Sequence, residues 1–195
     1  MARDYTKVEA TPGRVYWGIT STTPPTFGGV DLGYTKRGFI VRSQRFTTTI
    51  ESEETGKEKQ DDLFLGEVWT VETELIQWDD NTIAAAFANS YTRSGGTSKM
   101  MAYPGNSVLI GQKMAATIGK KLLFVPDDSS KYYYLFRLAV PDLKDGLPLR
   151  ATGIKSLRIT WDCYIDRSLS AGDDLQKTSL VMGGTLSDLQ AIGLS

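Results

Sequence analysis

The side chains best able to hold a cation or share a proton are four adjacent aspartate pairs: Asp61-Asp62, Asp79-Asp80, Asp127-Asp128 and Asp173-Asp174. Paired carboxylates serve calcium loops and acid/base catalysis. Side chains next to each other in sequence diverge, however, and each pair falls among turn or helix-start residues, where Asp satisfies free backbone amides. The pairs therefore read as turns and caps, and no Asp-x-Asp-x-Asp-Gly loop occurs. The nearest match to a phosphate loop runs from Gly105 to Met114. It has one residue too many between its glycines, Gln112 before Lys113, and Met114 where magnesium needs a hydroxyl, so it reads as a strand between turns.

Two residue types set wider limits. The chain has no histidine, which removes Ser-His and Cys-His nucleophile pairs and every His-containing metal site. Cys163 is the only cysteine, so neither an intrachain disulfide nor a thiolate cluster can form. Cys163 alternates with Trp161 and Ile165 on an apolar face and reads as a buried, inert thiol. Tyr132-Tyr133-Tyr134 would suit base stacking, but in a strand Tyr133 points away from its neighbours, so core or subunit contact is the favoured reading. Lys36-Arg37 and Lys120-Lys121 read as solvated surface. No catalytic group, metal site or cofactor is expected, and the chain reads as a non-enzyme.

These residues must be positioned by 195 residues, enough for one domain with arms. Lys and Arg number 22 against 23 Asp and Glu, which argues against a general nucleic-acid binder. Met1 to Lys7 has no apolar run behind it, and no stretch is long enough for a membrane helix, so a soluble chain made in a reducing cytoplasm is expected.

The dominant period is two, the mark of half-buried strands. Leu157 to Ile165 sets Leu, Ile, Trp, Cys and Ile against Arg, Thr, Asp and Tyr. Glu67 to Ile76 alternates too, with Glu72 and Glu74 opposite Trp69, Val71, Thr73 and Leu75. Further strands are expected at 15–19, 39–44, 46–50, 108–110, 122–125 and 132–140. One helix is expected over 80–91, capped within Asp79 to Thr82 and carrying Ile83, Phe87 and Tyr91 as a stripe. The fold class is mainly β with one short helix: two packed antiparallel sheets, as a β-sandwich or open barrel. Residues 1–13 form an N-terminal arm, 14–165 the β domain and 166–195 a C-terminal arm.

Charge is uneven. Residues 45–75 carry nine acidic and three basic side chains. Part of this lies in Glu51 to Asp62, expected as a long charged loop between strands. The rest includes Glu72 and Glu74, which fit either an ordinary solvent face of a sheet or a wall kept wet and anion-repelling.

In their order along the chain these features resemble the major tail tube proteins of long-tailed bacteriophages. The resemblance covers residues 1–165. It is carried by the N-terminal arm, the Pro-rich turn, the stretch Thr26 to Phe39 (TFGGVDLGYTKRGF), the charged segment Glu51 to Asp62, the strand Glu67 to Ile76, the helix from Asp79 and the closing strand Gly153 to Ile165. It implies two packed sheets flanked by a helix, hexameric rings whose sheets join into a channel-lining barrel, and rings stacked into a tube that carries DNA during ejection. The fold is shared with secretion-system and contractile-injection tubes.

The implied partners are other copies of the chain, the tape measure, terminator and distal tail proteins, and passing DNA without specific binding. The implied place is the virion tail, assembled in the host cytoplasm. Glu51, Glu53, Glu54, Lys57, Glu58, Lys59, Asp61 and Asp62 would form the inter-ring contact loop, their mixed signs suiting electrostatic docking. Glu67, Glu72 and Glu74 become candidates for the lumen wall, and Arg158, Thr160 and Asp162 form a second polar face that could line it. Two other readings stay open. One is a different phage structural β-protein, such as a tail terminator, decoration or adhesin subunit. The other is a β-sandwich carbohydrate-binding module or carboxylate-based hydrolase, using Trp17, Trp69, Trp78 or Trp161 as sugar platforms and Asp/Glu pairs as acid and base.

Overall fold

The computed structural model describes residues 12–21, 27–52, 58–76, 79–87, 91–95, 98–102, 112–143, 156–166 and 178–183. The chain folds in the order β1 (Gly13–Trp17), β2 (Val30–Ser52), β3 (Glu58–Leu75), α1 (Asp80–Ala86), β4 (Tyr91–Gly95), β5 (Ser98–Ala102), α2 (Met114–Ile118), β6 (Lys120–Pro126), β7 (Tyr133–Asp142), β8 (Leu157–Tyr164) and β9 (Leu180–Gly183). The mainly-β expectation holds. The strands at 39–44 and 46–50 are one long strand, β2. The strand expected at 108–110 lies outside the described residues.

Antiparallel pairing runs β6-β1-β2-β3-β8-β7, and β6 also pairs with β7, so the ladder closes around one interior. Closure leaves these strands no open edge along their shared length. Alternation fills the interior: Val15, Trp17, Leu32, Val71, Leu75, Leu122, Phe124, Phe136, Leu157, Ile159, Trp161 and Cys163 form one buried cluster. Burying a large apolar side chain is worth about 1.5–3 kcal/mol, so this cluster dominates the fold's stability. Where β1, β6 and β7 turn their other face outward, Tyr16, Leu123 and Leu135 form a second cluster with Ile19, Phe27 and Val181.

Val181 belongs to β9, which pairs with the first half of β7 as Tyr133↔Gly183 through Phe136↔Leu180. The stretch 166–195, expected as an arm, thus contributes a strand to the sheet and a side chain to the second core. Local periodicity missed it because four residues carry too little alternation to stand out.

The expected helix is shorter than 80–91. Asp79 caps it, its Oδ1 accepting from the Thr82 backbone N–H at 2.7 Å and from Thr82 Oγ1 at 2.9 Å. It stops at Ala86, with Phe87 as the C-cap residue, and Tyr91 begins β4 instead of a third turn. Ala85 and Ala86 pack into the interior cluster. A second short helix, α2, was not anticipated.

Candidate assembly surface

β1 covers only the start of β2, from Val30 to Tyr34, and β8 covers only the end of β3, from Trp69 to Leu75. Beyond those limits β2 and β3 pair, among the described residues, only with each other, out to Ser52↔Glu58. The segment expected as a long charged loop at 51–62 is therefore mostly strand. Glu51 lies opposite Lys59 and Ile50 opposite Asp61, with residues 53–57 outside the described residues. The charged composition hid the pairing, since Glu, Lys and Asp are poor strand formers.

From Arg42 to Ile50 every residue of β2 is exposed, so this part of the hairpin stands off the barrel. At about 3.3 Å per residue, the stretch from Arg42 to Ser52 spans roughly 30 Å. Bulges shape the ribbon. Between Thr35↔Leu75 and Phe39↔Thr73, β2 gains two residues, and Gly38 takes the positive φ of 74° that the bulge requires. Farther out, Leu65 is the extra residue between Phe46↔Gly66 and Thr47↔Phe64, beside Gly66 at φ 155°.

The register sorts the ribbon into two faces. The outer one carries Ile40, Arg42, Phe46, Ile50, Leu63, Val68, Glu72 and Glu74; the other carries Arg45, Thr47, Thr49, Asp62, Phe64 and Glu67. Apolar residues are exposed on both, with Leu63, Phe64 and Leu65 at 54%, 58% and 62%. The Arg45 guanidinium lies over the Phe64 ring, at 6.0 Å from its centre.

Three ion pairs lie along the ribbon. Arg42 donates Nε to Glu72 Oε1 at 3.1 Å and Nη2 to Oε2 at 3.3 Å. The Glu72 carboxylate, by hydrogen bond and by charge, raises the Arg42 pKa above its ordinary value. Glu74 accepts from Lys36 Nζ at 3.0 Å and from Ser156 Oγ. Lys59 Nζ lies 2.6 Å from Asp62, which also accepts from Thr49 Oγ1 at 3.1 Å. The Lys59 hydrogen bond is the main reason the Asp62 carboxyl sits below its usual range, with burial opposing slightly and the Thr49 hydroxyl adding to the lowering.

The three candidate lumen residues therefore do not share a surface. Glu72 and Glu74 lie together on the outer face, beside a cleft of about 100 Å³ that Arg158 also lines. Glu67 is in phase with Trp69 and Val71 on the other face, opposite Arg45. Alternation from Trp69 already carries that phase in the sequence. Glu72, Glu74 and Asp162 stand among Lys36, Arg42 and Arg158, so this part of the outer face is near charge balance rather than uniformly negative. Of the second polar face, Thr160 is buried and Arg158 exposed. Of the contact-loop residues, Asp61 and Asp62 are exposed on β3, while Glu53, Glu54 and Lys57 lie outside the described residues.

Asp173-Asp174 and residues 105–111 lie outside the described residues, and the other chemistry candidates settle into the core or the surface. Cys163 is buried, and loss of solvation followed by the charge of Asp162 pushes its thiol up to about 12. Tyr134 packs in the interior cluster against Phe39, at 4.9 Å between rings, while Tyr133 packs on the second cluster and Tyr132 is exposed. Among the Asp pairs, Asp128 accepts from the Ser130 backbone and hydroxyl, as a turn residue does. Among the described residues no three His, Cys, Asp or Glu side chains gather to hold a metal ion. No helix of the described residues is long and apolar enough to cross a membrane. No protein-family model matches the chain, and no curated protein matches it.

Proposed function

We propose that this chain is a structural subunit that assembles with copies of itself into stacked rings of the phage tail tube type, a conduit for DNA. The observation that carries the reading is the β2–β3 ribbon, with apolar side chains exposed on both faces and, among the described residues, no strand paired to either edge along its outer half. A two-stranded hairpin in water is marginal by itself. Unpaired edges beside exposed Phe46, Ile50, Leu63 and Phe64 are a template for strands of another chain. Repetition of one chain around a closed ring satisfies such edges without open ends.

The sugar-platform reading loses ground on the aromatic residues. Trp17 and Trp161 are buried, and Trp69 packs against the interior cluster. Trp78 lies outside the described residues.

Negative-stain electron microscopy and sedimentation velocity, run up to the solubility limit, test the proposal. Rings or tubes with a central channel are expected. Deleting residues 52–60 is expected to leave a folded subunit that no longer builds tubes. A wild-type chain that remains a monomer at every concentration overturns the assembly reading, and tubes of normal length from the deletion remove the tip from it.

A further inference from the structure

The lysine pair at the start of β6 does more than face solvent. Lys120 and Lys121 line a cavity of about 540 Å³ together with Gly18, Ile19 and Thr20, which follow β1. That volume lies in the range of cavities that hold small ligands. Gly18 takes a positive φ of 72°, and a Cβ there would come within 3.1 Å of Lys120 Cδ, so glycine makes room for the lysine stem. The Lys120 ammonium rests 4.7 Å from the centre of the Trp17 ring. A ring face attracts the charge without using up all three N–H donors, which leaves donors for an anion.

Lys121 is placed differently. The register shifts between Lys120↔Ala139 and Leu122↔Phe136, so the single residue Lys121 stands against both Arg137 and Leu138 of β7. Bulges re-aim side chains and recur beside functional sites. Here the bulge sets a half-buried amine beside a guanidinium that is 2% exposed. Arg137 is closed to solvent and does not line the cavity, so it acts on Lys121 through its charge alone. Burial first, and the Arg137 charge second, lower the Lys121 pKa, and Asp166 opposes them without cancelling them. More of Lys121 is thereby a neutral amine, the form that attacks carbon.

We propose that Lys121 is the amine of a carbonyl-binding site, and that its ligand is a small aldehyde bearing an anionic group, held by Lys120. The Lys121 Nζ lone pair forms a C–N bond to the carbonyl carbon. The carbonyl oxygen then leaves as water, taking the two amine protons with it, and the product is an imine. No oxidant or reductant is consumed, and water reverses the step. Lys120 and the Arg137 charge beside the amine favour an anionic aldehyde over a neutral one, since both draw negative charge toward the cavity. The site does not depend on the assembly reading.

The test treats the full chain with pyridoxal 5′-phosphate at neutral pH, reduces the imines with borohydride and maps the labelled lysines by mass spectrometry. Lys121 is expected to label about tenfold faster than exposed Lys113, because a held ligand meets the amine at raised effective concentration. Pyridoxal, which lacks the phosphate, should lose that preference. Lys120→Gln should slow labelling of Lys121 about fivefold, the scale of one partly exposed charge contact. Lys121→Arg keeps the charge, should melt near the wild-type temperature and should abolish the fast-labelled position. Lys121 labelling no faster than Lys113 overturns the site. A preference for Lys121 that pyridoxal matches, or that Lys120→Gln leaves unchanged, overturns the anionic ligand and the role given to Lys120.

Discussion

The indole N–H of Trp161 on β8 donates to Thr73 Oγ1 on β3 at 2.9 Å, with both residues buried. Thr73 Oγ1 in turn donates to the Ile159 carbonyl at 3.4 Å. These bonds tie the root of the ribbon to the barrel wall, so the strand that projects outward is anchored where it enters the core. Thr73→Val keeps the shape and removes the acceptor, stranding a buried N–H at a cost of about 1–3 kcal/mol. Thr73→Ser keeps the oxygen and should lose less. Urea midpoints at unchanged slope measure both; a valine variant as stable as wild type would show the bond to be dispensable.

The strands of the barrel were legible where one face is apolar, as in Leu157 to Tyr164 and the end of β3, because burial on one side imposes period two. The outer half of β2 and β3 was not. With no face packed on a core, Glu51, Lys59, Asp61 and Asp62 are compatible with pairing and carry no burial signal, so they read as a loop. Closure through β6 and β7 depends on register between distant strands, which no local pattern encodes. Arg137 had a signal: a lone cation inside Tyr133-Tyr134-Leu135-Phe136-Arg137-Leu138, on a strand otherwise fit for burial.

Cys163 gives a pH dependence of definite sign. Its thiol is held at about 12 in the fold against 9.0 in a free chain. Below pH 9 both states keep the proton and the group is neutral to stability. Between 9 and 12 the unfolded chain ionises first, so stability falls as pH rises, by about 4 kcal/mol in full. Tyr16, raised chiefly by burial and next by Asp31, adds in the same direction. Cys163→Ala should be less stable at neutral pH yet show a shallower alkaline slope in denaturant titrations. An unchanged slope would assign the effect elsewhere.

Glu72 and Glu74 now test charge balance as much as a channel wall. Glu72→Lys with Glu74→Lys would set five cations on one face, with Lys36, Arg42 and Arg158, and would remove the two carboxylates that pair Lys36 and Arg42. The double variant should melt below wild type at low salt, with the gap narrowing as salt screens the repulsion. If particles bearing it assemble, their DNA release should slow. A melting temperature indifferent to salt would mean that the Arg42 and Lys36 pairs contribute nothing measurable, as many exposed pairs do.

Phe46 and Leu63 separate folding from association. They lie on the outer face of the ribbon, away from both buried clusters, so the barrel loses no packing when they change. Phe46→Ser with Leu63→Ser should therefore leave the melting temperature nearly as it was, since exposed substitutions usually stay within about 0.5 kcal/mol. Association should suffer much more, because an apolar anchor buried at an interface commonly costs upward of about 2 kcal/mol when truncated. Scattering and sedimentation across a concentration series would show the shift to smaller species at constant thermal stability. If instead the variant unfolds earlier, these side chains already pack within the single chain. If it assembles like wild type, the ribbon's contacts are made by its edges and charged tip, and the apolar faces meet solvent even in the assembled state.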